Sequence, residues 1–432
     1  MERYNSYKDS GVEWIGEIPS HWVLERYKYL GDSSTTNISV KEFQNEEVIH
    51  YSIPNVQKKG TGLLEIGEDI DSSKLLLSGG ELMISKLNPR KNCVCIVSQN
   101  HNHKILGSGE FVLLKPKGTN TKFLFYYVNN PSYTEYLDSS VESVTRSHQR
   151  VNPSIIYNSK VSLPPLSEQQ QIVSFLDTKT SLIDSLIEKT QRKIELLKEK
   201  RTSLINEVVT KGLNPNVEMK DSGVEWIGKI PSHWVITKVK YVTNLVIDGS
   251  HFTPTYTESG IPFLRVTDIH NQIIDLDKVK FISEEEHHSL TKRCQPEKGD
   301  LLLSKNGTIG LTKVIDWDWD FSIFVSLCLI KFREVFKPEL FSYFFQSSIV
   351  DLQIKESSKQ STVTNLHLDK IRELLLIKPP ISEQKQIVEY LDEQTQLIDK
   401  TISIEEKRIE LLKEYRQSLI SELVTGKRKV VE

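Results

Sequence analysis

Cysteine is scarce in this chain: four in 432 residues, too few and too scattered for a disulfide framework. Neither sign of charge is in excess. Lys and Arg number 55 against 58 Asp and Glu, and the net charge of −3 neither advertises nor excludes nucleic acid. Any such contact must come from local clustering. No apolar run approaches the roughly 20 residues of a membrane span. The polar stretch from Met1 to Lys8 carries no apolar signal core, so the chain is expected to be cytoplasmic and to use no membrane. A Gly-x-x-x-x-Gly-Lys-Ser/Thr phosphate loop is missing, since Gly426-Lys427 lacks the leading glycine. Catalytic carboxylates are not paired in any recognisable way, and the helical acids fall at solvated positions. What remains is an ordinary globular composition, 38 % hydrophobic and 26 % charged, at a length that suits two domains.

Two short motifs carry a chemical reading beside a plain one. Cys93, Cys95, His101 and His103 spell Cys-x-Cys-x5-His-x-His, a possible set of zinc ligands. The Cys-x-Cys gap is narrow for that, and Asn92 to Ser98 also reads as a strand with both cysteines on one face. Asn130-Pro131-Ser132-Tyr133 is close to the Asn-Pro-Pro-Tyr that holds a flipped adenine in amino-methyltransferases, but serine replaces the second proline.

The strong signal is repetition. Lys8-Asp9-Ser10-Gly11-Val12-Glu13-Trp14-Ile15-Gly16 returns as Lys220 to Gly228, and each copy runs on to Ile-Pro-Ser-His-Trp, ending at Trp22 and Trp234. Pro164-Pro165-Leu166-Ser167-Glu168-Gln169 returns as Pro379-Pro380-Ile381-Ser382-Glu383-Gln384, and a charged helical stretch follows both. The period is a whole domain, far longer than a solenoid repeat. It divides the chain into a constant arm at 1–22, an insert at 23–163 and a constant helical spacer at 164–212. A second arm at 213–234, a second insert at 235–378 and a second spacer at 379–432 follow.

Each insert reads as α+β. In the first, Val48–Ile53, Glu81–Ser85, Cys93–Val97 and Phe111–Leu114 read as strands, and Phe123 to Leu137 as a helix interrupted at Pro131. Ile261–Val266, Lys298–Lys305 and Leu340–Gln346 repeat that order in the second. The tryptophans Trp14 and Trp22 are expected to pack on their own domain.

After each insert a helix begins. Ser167 reads as its N-cap with Gln170 at the third helical position, and the second copy has Ser382 with Lys385. A segment near 167–177 is expected, then a long helix from about 178 to 210. Its apolar positions step by four and three: Ile183, Ile187, Ile194, Leu197, Leu204 and Val208, answered by Ile398, Ile402, Ile409, Leu412, Leu419 and Leu423. That is a coiled-coil seam, about 45 Å long for roughly 30 residues. Thr190 with Glu405, and Arg201 with Arg416, are its polar interruptions. Each helix needs a partner, and the other copy is the obvious one, set antiparallel.

Side chains suited to base edges and phosphates cluster at matching places in the inserts. Lys86, Arg90 and Lys91 surround Asn88-Pro89, and Arg146, Gln149 and Arg150 form a short polar loop. Arg265 with Thr267, Lys305 with Asn306 and Thr308, and Lys359 with Gln360 and Thr362 are the second set.

The two arms and the two Pro-Pro-Leu/Ile-Ser-Glu-Gln blocks, with Ile194-Glu195-Leu196-Leu197-Lys198-Glu199 and its copy, resemble the specificity subunit of Type I restriction–modification systems. The resemblance covers nearly the whole chain. It implies a non-catalytic subunit with two pseudo-symmetric target recognition domains, each reading half of a bipartite site in double-stranded DNA. It implies two long antiparallel helices that set the spacer and dock two methyltransferase subunits, with restriction subunits joining them. S-adenosylmethionine, ATP and Mg would be bound by those partners and not by this chain. A coiled-coil scaffold with two protein-binding domains, and a methyltransferase carrying its own recognition domain, are the other classes the sequence leaves open.

Overall fold

A computed structural model describes residues 2–100, 102–142, 149–269, 274–356 and 365–430. The chain divides into two compact units, residues 1–191 with 407–432, and residues 192–406. Among the described residues no helix is long and apolar enough to cross a membrane.

In the first unit the constant arm is a hairpin, Tyr7–Asp9 against Glu17–Pro19 with Tyr7 opposite Pro19. Asp9 Oδ1 accepts the Gly11 N–H at 2.8 Å, and Gly16 takes a left-handed φ of 70° where the loop rejoins the strand. A four-stranded antiparallel sheet follows, in which β1 (Leu82–Ser85) lies between Val94–Ile96 and β2 (Phe111–Pro116). Four consecutive residues of β1 are buried because both faces of the sheet are covered. Leu82 and Ile84 enter one apolar cluster and Met83 another, as the two-residue period of a strand requires. The first cluster is closed by α1 (Thr121–Val128), whose Phe123, Leu124 and Tyr127 pack with Trp22. Trp14 stacks on Tyr136 at 5.6 Å and meets Tyr127 and Tyr133 edge-on, so both tryptophans do pack on their own unit.

Cys93 and Cys95 share one face as the strand reading expects. Both are buried with Leu75, Leu77 and Met83, and burial pushes the Cys93 thiol up to about 11 and Cys95 higher still. His103 lies 3.7 Å from Glu47, and His101 is outside the described residues. No group of three or more His, Cys, Asp or Glu able to hold a metal occurs among the described residues. Asn130 is the N-cap of Pro131–Ser139, accepting the Ser132 N–H at 3.0 Å, and Tyr133 is a core residue bonded to Ser159.

The helix after the first insert differs from expectation at two points. It is one uninterrupted element, α2 (Leu166–Lys211), without a break near residue 177. The polar run there bonds where it stands: the Thr178 and Thr180 hydroxyls donate to the Ser174 and Leu176 carbonyls, and Asp177 accepts from Tyr126 and Lys122. Polar residues without Gly or Pro do not end a helix whose groups are satisfied this way. Ser167 is not the N-cap either, because the helix starts one residue earlier and the Pro165 carbonyl accepts the Gln169 N–H at 3.0 Å. Gln169 itself is buried, with Nε2 on the Pro164 carbonyl and Oε1 on the Asn120 N–H at the start of α1.

The second unit repeats these internal relations. β3 (Leu301–Ser304) lies between Thr312–Val314 and β4 (Leu327–Phe332), with Leu301 and Leu303 in one cluster and Leu302 in another. The aromatic helix α3 (Pro338–Phe345) covers the sheet, and α4 (Ile381–Val424) begins after Pro379-Pro380. Gln384 is again buried, bonded to the Pro379 and Val335 carbonyls and to the Lys337 N–H.

Each unit contains part of both long helices. In the second, Lys193 meets Glu405 at 2.5 Å and Arg201 meets Asp399 at 3.0 Å, so the two segments run antiparallel there. In the first, Arg416 reaches Asp184 at 2.9 Å beside buried Ile183, Leu419 and Leu423.

Candidate nucleic-acid interface

The loop leaving β1 is shaped by two asparagines in the left-handed region, Asn88 at φ 47° and Asn92 at φ 41°, a conformation their short polar side chains tolerate. Between them Pro89–Lys91 forms one tight turn that turns Arg90 and Lys91 to solvent. A second stretch, distant in sequence, lies against it. The Asn88 N–H donates to the Gln149 carbonyl at 2.7 Å, Val151 N–H to the Lys86 carbonyl at 2.9 Å, and Leu87 bridges Arg150. Lys86, Arg90, Lys91, Gln149 and Arg150 are thus one surface at the Ser85 end of the sheet. Lys86 and Gln149 are half-buried. Arg150 is exposed and clamped by Glu110 through Nε at 3.1 Å and Nη2 at 2.9 Å. Arg146 lies outside the described residues.

The loop leaving β3 is built alike. Asn306 bridges Asn365, and the Leu366 N–H donates to the Lys305 carbonyl at 2.8 Å. The turn Phe324–Ser326 gathers three strand ends around it: Phe324 N–H reaches the Leu264 carbonyl, Val325 N–H the Ser250 carbonyl, and Lys305 N–H the Ser326 carbonyl. Arg265, Thr267, Lys305, Asn306 and Thr308 therefore share one end of the unit. Arg265 is held bidentately by Asp268 at 3.0 Å on each contact, with Thr267 donating to the same carboxylate. Thr308 is exposed, and the buried Oδ1 of Asn306 has no hydrogen-bond partner among the described residues. Lys359, Gln360 and Thr362 lie outside the described residues.

Lys305 occupies a less open place than its sequence context suggests. Its side chain is 7 % exposed and its ammonium is 3.2 Å from Asp248, which also accepts from Arg293 Nη2 at 2.6 Å and meets His251 Nε2 at 3.0 Å. Burial would push the Asp248 carboxyl up, but these hydrogen bonds outweigh it and hold it below the usual carboxylate range. The same carboxylate thereby orients Arg293 and His251, both solvent-facing, and the exposed Phe252 follows on a turn fixed by the Ser250 hydroxyl. A search for clustered basic loops misses Asp248, His251, Phe252 and Arg293, because their juxtaposition depends on β4 and the helix Glu284–Thr291.

Away from these loops the constant motifs meet. Glu168 accepts the Trp22 indole N–H at 3.2 Å, lies 2.9 Å from His21 Nε2, and accepts the Tyr4 hydroxyl. Glu383 takes Trp234 at 3.0 Å and His233 at 2.7 Å. Tyr126 donates to Asp177 at 2.8 Å and Tyr343 to Asp392 at 2.6 Å. Burial raises the Tyr126 hydroxyl to about 12 and moves Tyr343 the same way. Along the helices Ile183, Ile194, Ile398, Ile402, Ile409 and Leu419 are buried, and Ile187, Leu197, Leu204 and Leu412 are half-buried. Thr190 is buried with its hydroxyl on the Leu186 carbonyl.

Comparison with known proteins adds a family match. The model of the Type I restriction modification DNA specificity domain matches residues 26–196 and 231–414. The chain is 23 % identical to a putative type I restriction enzyme MjaX specificity subunit of Methanocaldococcus jannaschii, over 96 % of each chain. It is 22 % identical to the type I restriction enzyme EcoKI specificity subunit of Escherichia coli, over 88 % of this chain and 83 % of that one. Among solved structures, a chain from a type I R-M system aligns with TM-score 0.76 at 17 % identity, covering 94 % of this chain and 98 % of that chain. The HsdS subunit from Thermoanaerobacter tengcongensis aligns with TM-score 0.56 at 16 % identity, covering 97 % and 100 %.

Proposed function

Because the chain belongs to the family of Type I restriction modification DNA specificity domains, we propose a division of labour between its inserts and its frame. The chain is the DNA sequence-recognition subunit of a Type I restriction–modification system and is not itself an enzyme. In the finer reading each unit holds one target recognition domain that reads one half of a bipartite DNA site. One observation carries this: the same loop, leaving the same strand, is bonded to the same returning segment in both units, while its side chains differ. A common backbone frame with variable side chains is what two half-site readers need, since phosphate contacts position and base contacts specify.

In this reading Arg90, Lys91, Gln149 and Arg150 serve the first half-site, with Lys86 at the loop base. Arg265, Thr267, Asn306 and Thr308 serve the second, with Lys305 held by Asp248. Arg146, Lys359, Gln360 and Thr362 are assigned to DNA contact from the sequence alone. The long helices act as an antiparallel pseudo-symmetric spacer and as the docking site for two methyltransferase subunits, which restriction subunits join. Exposed Leu182 and Leu411 in the first unit, and Leu196, Leu397 and Ile404 in the second, each directly precede a seam position. They give each unit an apolar flank suited to partner helices. S-adenosylmethionine, ATP and Mg are bound by those cytoplasmic partners, so titrating the isolated chain with S-adenosylmethionine should release no heat of binding.

Adenine-methylation sequencing of host DNA, with and without this gene and with the methyltransferase present, tests the reading. A two-part motif with a fixed unread gap should vanish with the gene. Unaltered methylation by an active partner would favour the protein scaffold instead.

A further inference from the structure

Identity between the two copies does not stop at Trp22 and Trp234. Over Val23–Leu30 and Val235–Val242 three residues are the same in both: Val23 with Val235, Lys28 with Lys240, and Tyr29 with Tyr241. None of the three is buried in either unit. The buried positions of the same stretch have changed, Tyr27 to Val239 and Leu30 to Val242. Packing therefore explains the variable positions and not the constant ones. Tyr29 is 66 % exposed and Tyr241 61 %, and in each the neighbouring lysine lies over the ring, at 5.1 and 5.2 Å from its centroid. The cation fixes how the phenol is presented.

Both pairs stand at the end of their sheet away from the reading loops. In the first unit Ser85, at the basic loop, is opposite Phe111, while Gly31, two residues beyond Tyr29, is opposite Pro116. A Cβ on Gly31 would lie 2.1 Å from the Lys115 carbonyl oxygen, so this close approach holds Tyr29 at the strand end. In the second unit Ser304 is opposite Leu327 and Thr243 opposite Phe332. Each sheet thus separates loop and tyrosine by about 17 Å, five strand steps of roughly 3.4 Å. Basic residues flank the tyrosines: Arg26 and Lys160 pair across one ladder, and Lys238 and Lys240 both bind Glu373 at 2.6 Å.

An exposed lysine–tyrosine pair that recurs on two units with different DNA-reading loops fits a partner that meets both units in the same way. We propose that Lys28–Tyr29 and Lys240–Tyr241 form a docking knob for the methyltransferase subunit, one per unit. The knob would seat the phenol in an apolar socket of the partner, with the lysine stem packed along the ring. This rests on the family reading above and adds a contact outside the long helices.

The test is binding of the full-length chain to its purified cognate methyltransferase subunit. The Y29A/Y241A variant should lose affinity at least about tenfold, the scale of an aromatic anchor, while Y29F/Y241F stays near wild type. Both tyrosines are exposed, so thermal unfolding of either variant should match wild type. Equal affinity of wild type and Y29A/Y241A would overturn the proposal. So would unchanged assembly with weakened DNA binding by the complex, which would make the knob a phosphate contact. A wild-type chain that binds no methyltransferase would sink the proposed methyltransferase docking and this inference together.

Discussion

Trp22 donates its indole N–H to Glu168 at 3.2 Å, and this bond joins the two motifs that define the chain's repeat. The arm ends in Ser-His-Trp and the spacer begins in Ser-Glu-Gln because the His-Trp pair and the glutamate form one contact. Trp234 and Glu383 repeat it at 3.0 Å. Since Trp22 and Trp234 are fully buried, the carboxylate serves as the polar end of an otherwise apolar socket.

Trp22→Phe should therefore keep most of the packing and lose the donor. Leaving a partly buried acceptor short of one hydrogen bond costs about 1–2 kcal/mol. Urea unfolding of W22F and W234F should show losses of similar size. No change in the midpoint would mean that the repeated indole nitrogen contributes nothing to stability.

Asp248 gives a pH-dependent contribution of known sign. Its folded-state carboxyl is held below the usual range, so its stabilisation is present above the unfolded value near 3.9 and is lost as pH falls through the lower folded value. Asp248→Asn leaves Lys305 buried without its carboxylate, at a cost of about 3 kcal/mol near neutral pH. The gap between wild type and D248N should narrow as pH drops from about 5 toward 2. A gap independent of pH over that range would show that the ion pairing is not its source.

Arg201–Asp399 and Arg416–Asp184 use equivalent side chains in the two units, and both pairs are partly exposed. Solvent screening limits each to less than about 1 kcal/mol. Double-mutant cycles should return coupling of that size, fading at high salt. A larger, salt-insensitive coupling would mark these polar seam positions as specificity devices comparable to a buried coiled-coil asparagine.

The frame was legible in sequence because it repeats. Its strands were legible too, since Leu82–Ser85 and Leu301–Ser304 are buried on both faces and read as continuous apolar runs. The unbroken helix was not legible at residue 177, because what satisfies its polar run includes Tyr126, a residue from another element. The surface loops were legible only as composition. Arg90 and Arg150 look alike as basic residues, yet Arg150 is clamped by Glu110 through a strand pairing that no local signal reveals. Lys305 looked exposed for the same reason, its partner Asp248 lying on a different strand.

If the loop after β1 reads one half-site, Arg90→Ala with Gln149→Ala should alter or relax only that half of the methylation motif. A lost bidentate base contact is worth about 1–3 kcal/mol of discrimination. Changes in both halves, or a uniform fall in methylation, would assign these side chains to phosphate contact or folding instead.

The spacer role makes a geometric prediction. Seven residues added to α2 after Gln191 and to α4 after Glu406 lengthen each helix by about 10 Å, at 1.5 Å per residue. A heptad returns the seam of Ile183 to Val208 to nearly the same face, so the helix pair should survive. At about 3.4 Å per base pair along one strand the unread gap should grow by roughly three base pairs, with both half-sites unchanged. A five-residue insertion has similar length but turns the seam by about 140°, at 3.6 residues per turn, and should abolish the chain's activity. If the heptad variant methylates DNA at the original spacing, the helices do not measure the site. If the five-residue variant works as well as the heptad variant, the seam does not hold the helices together.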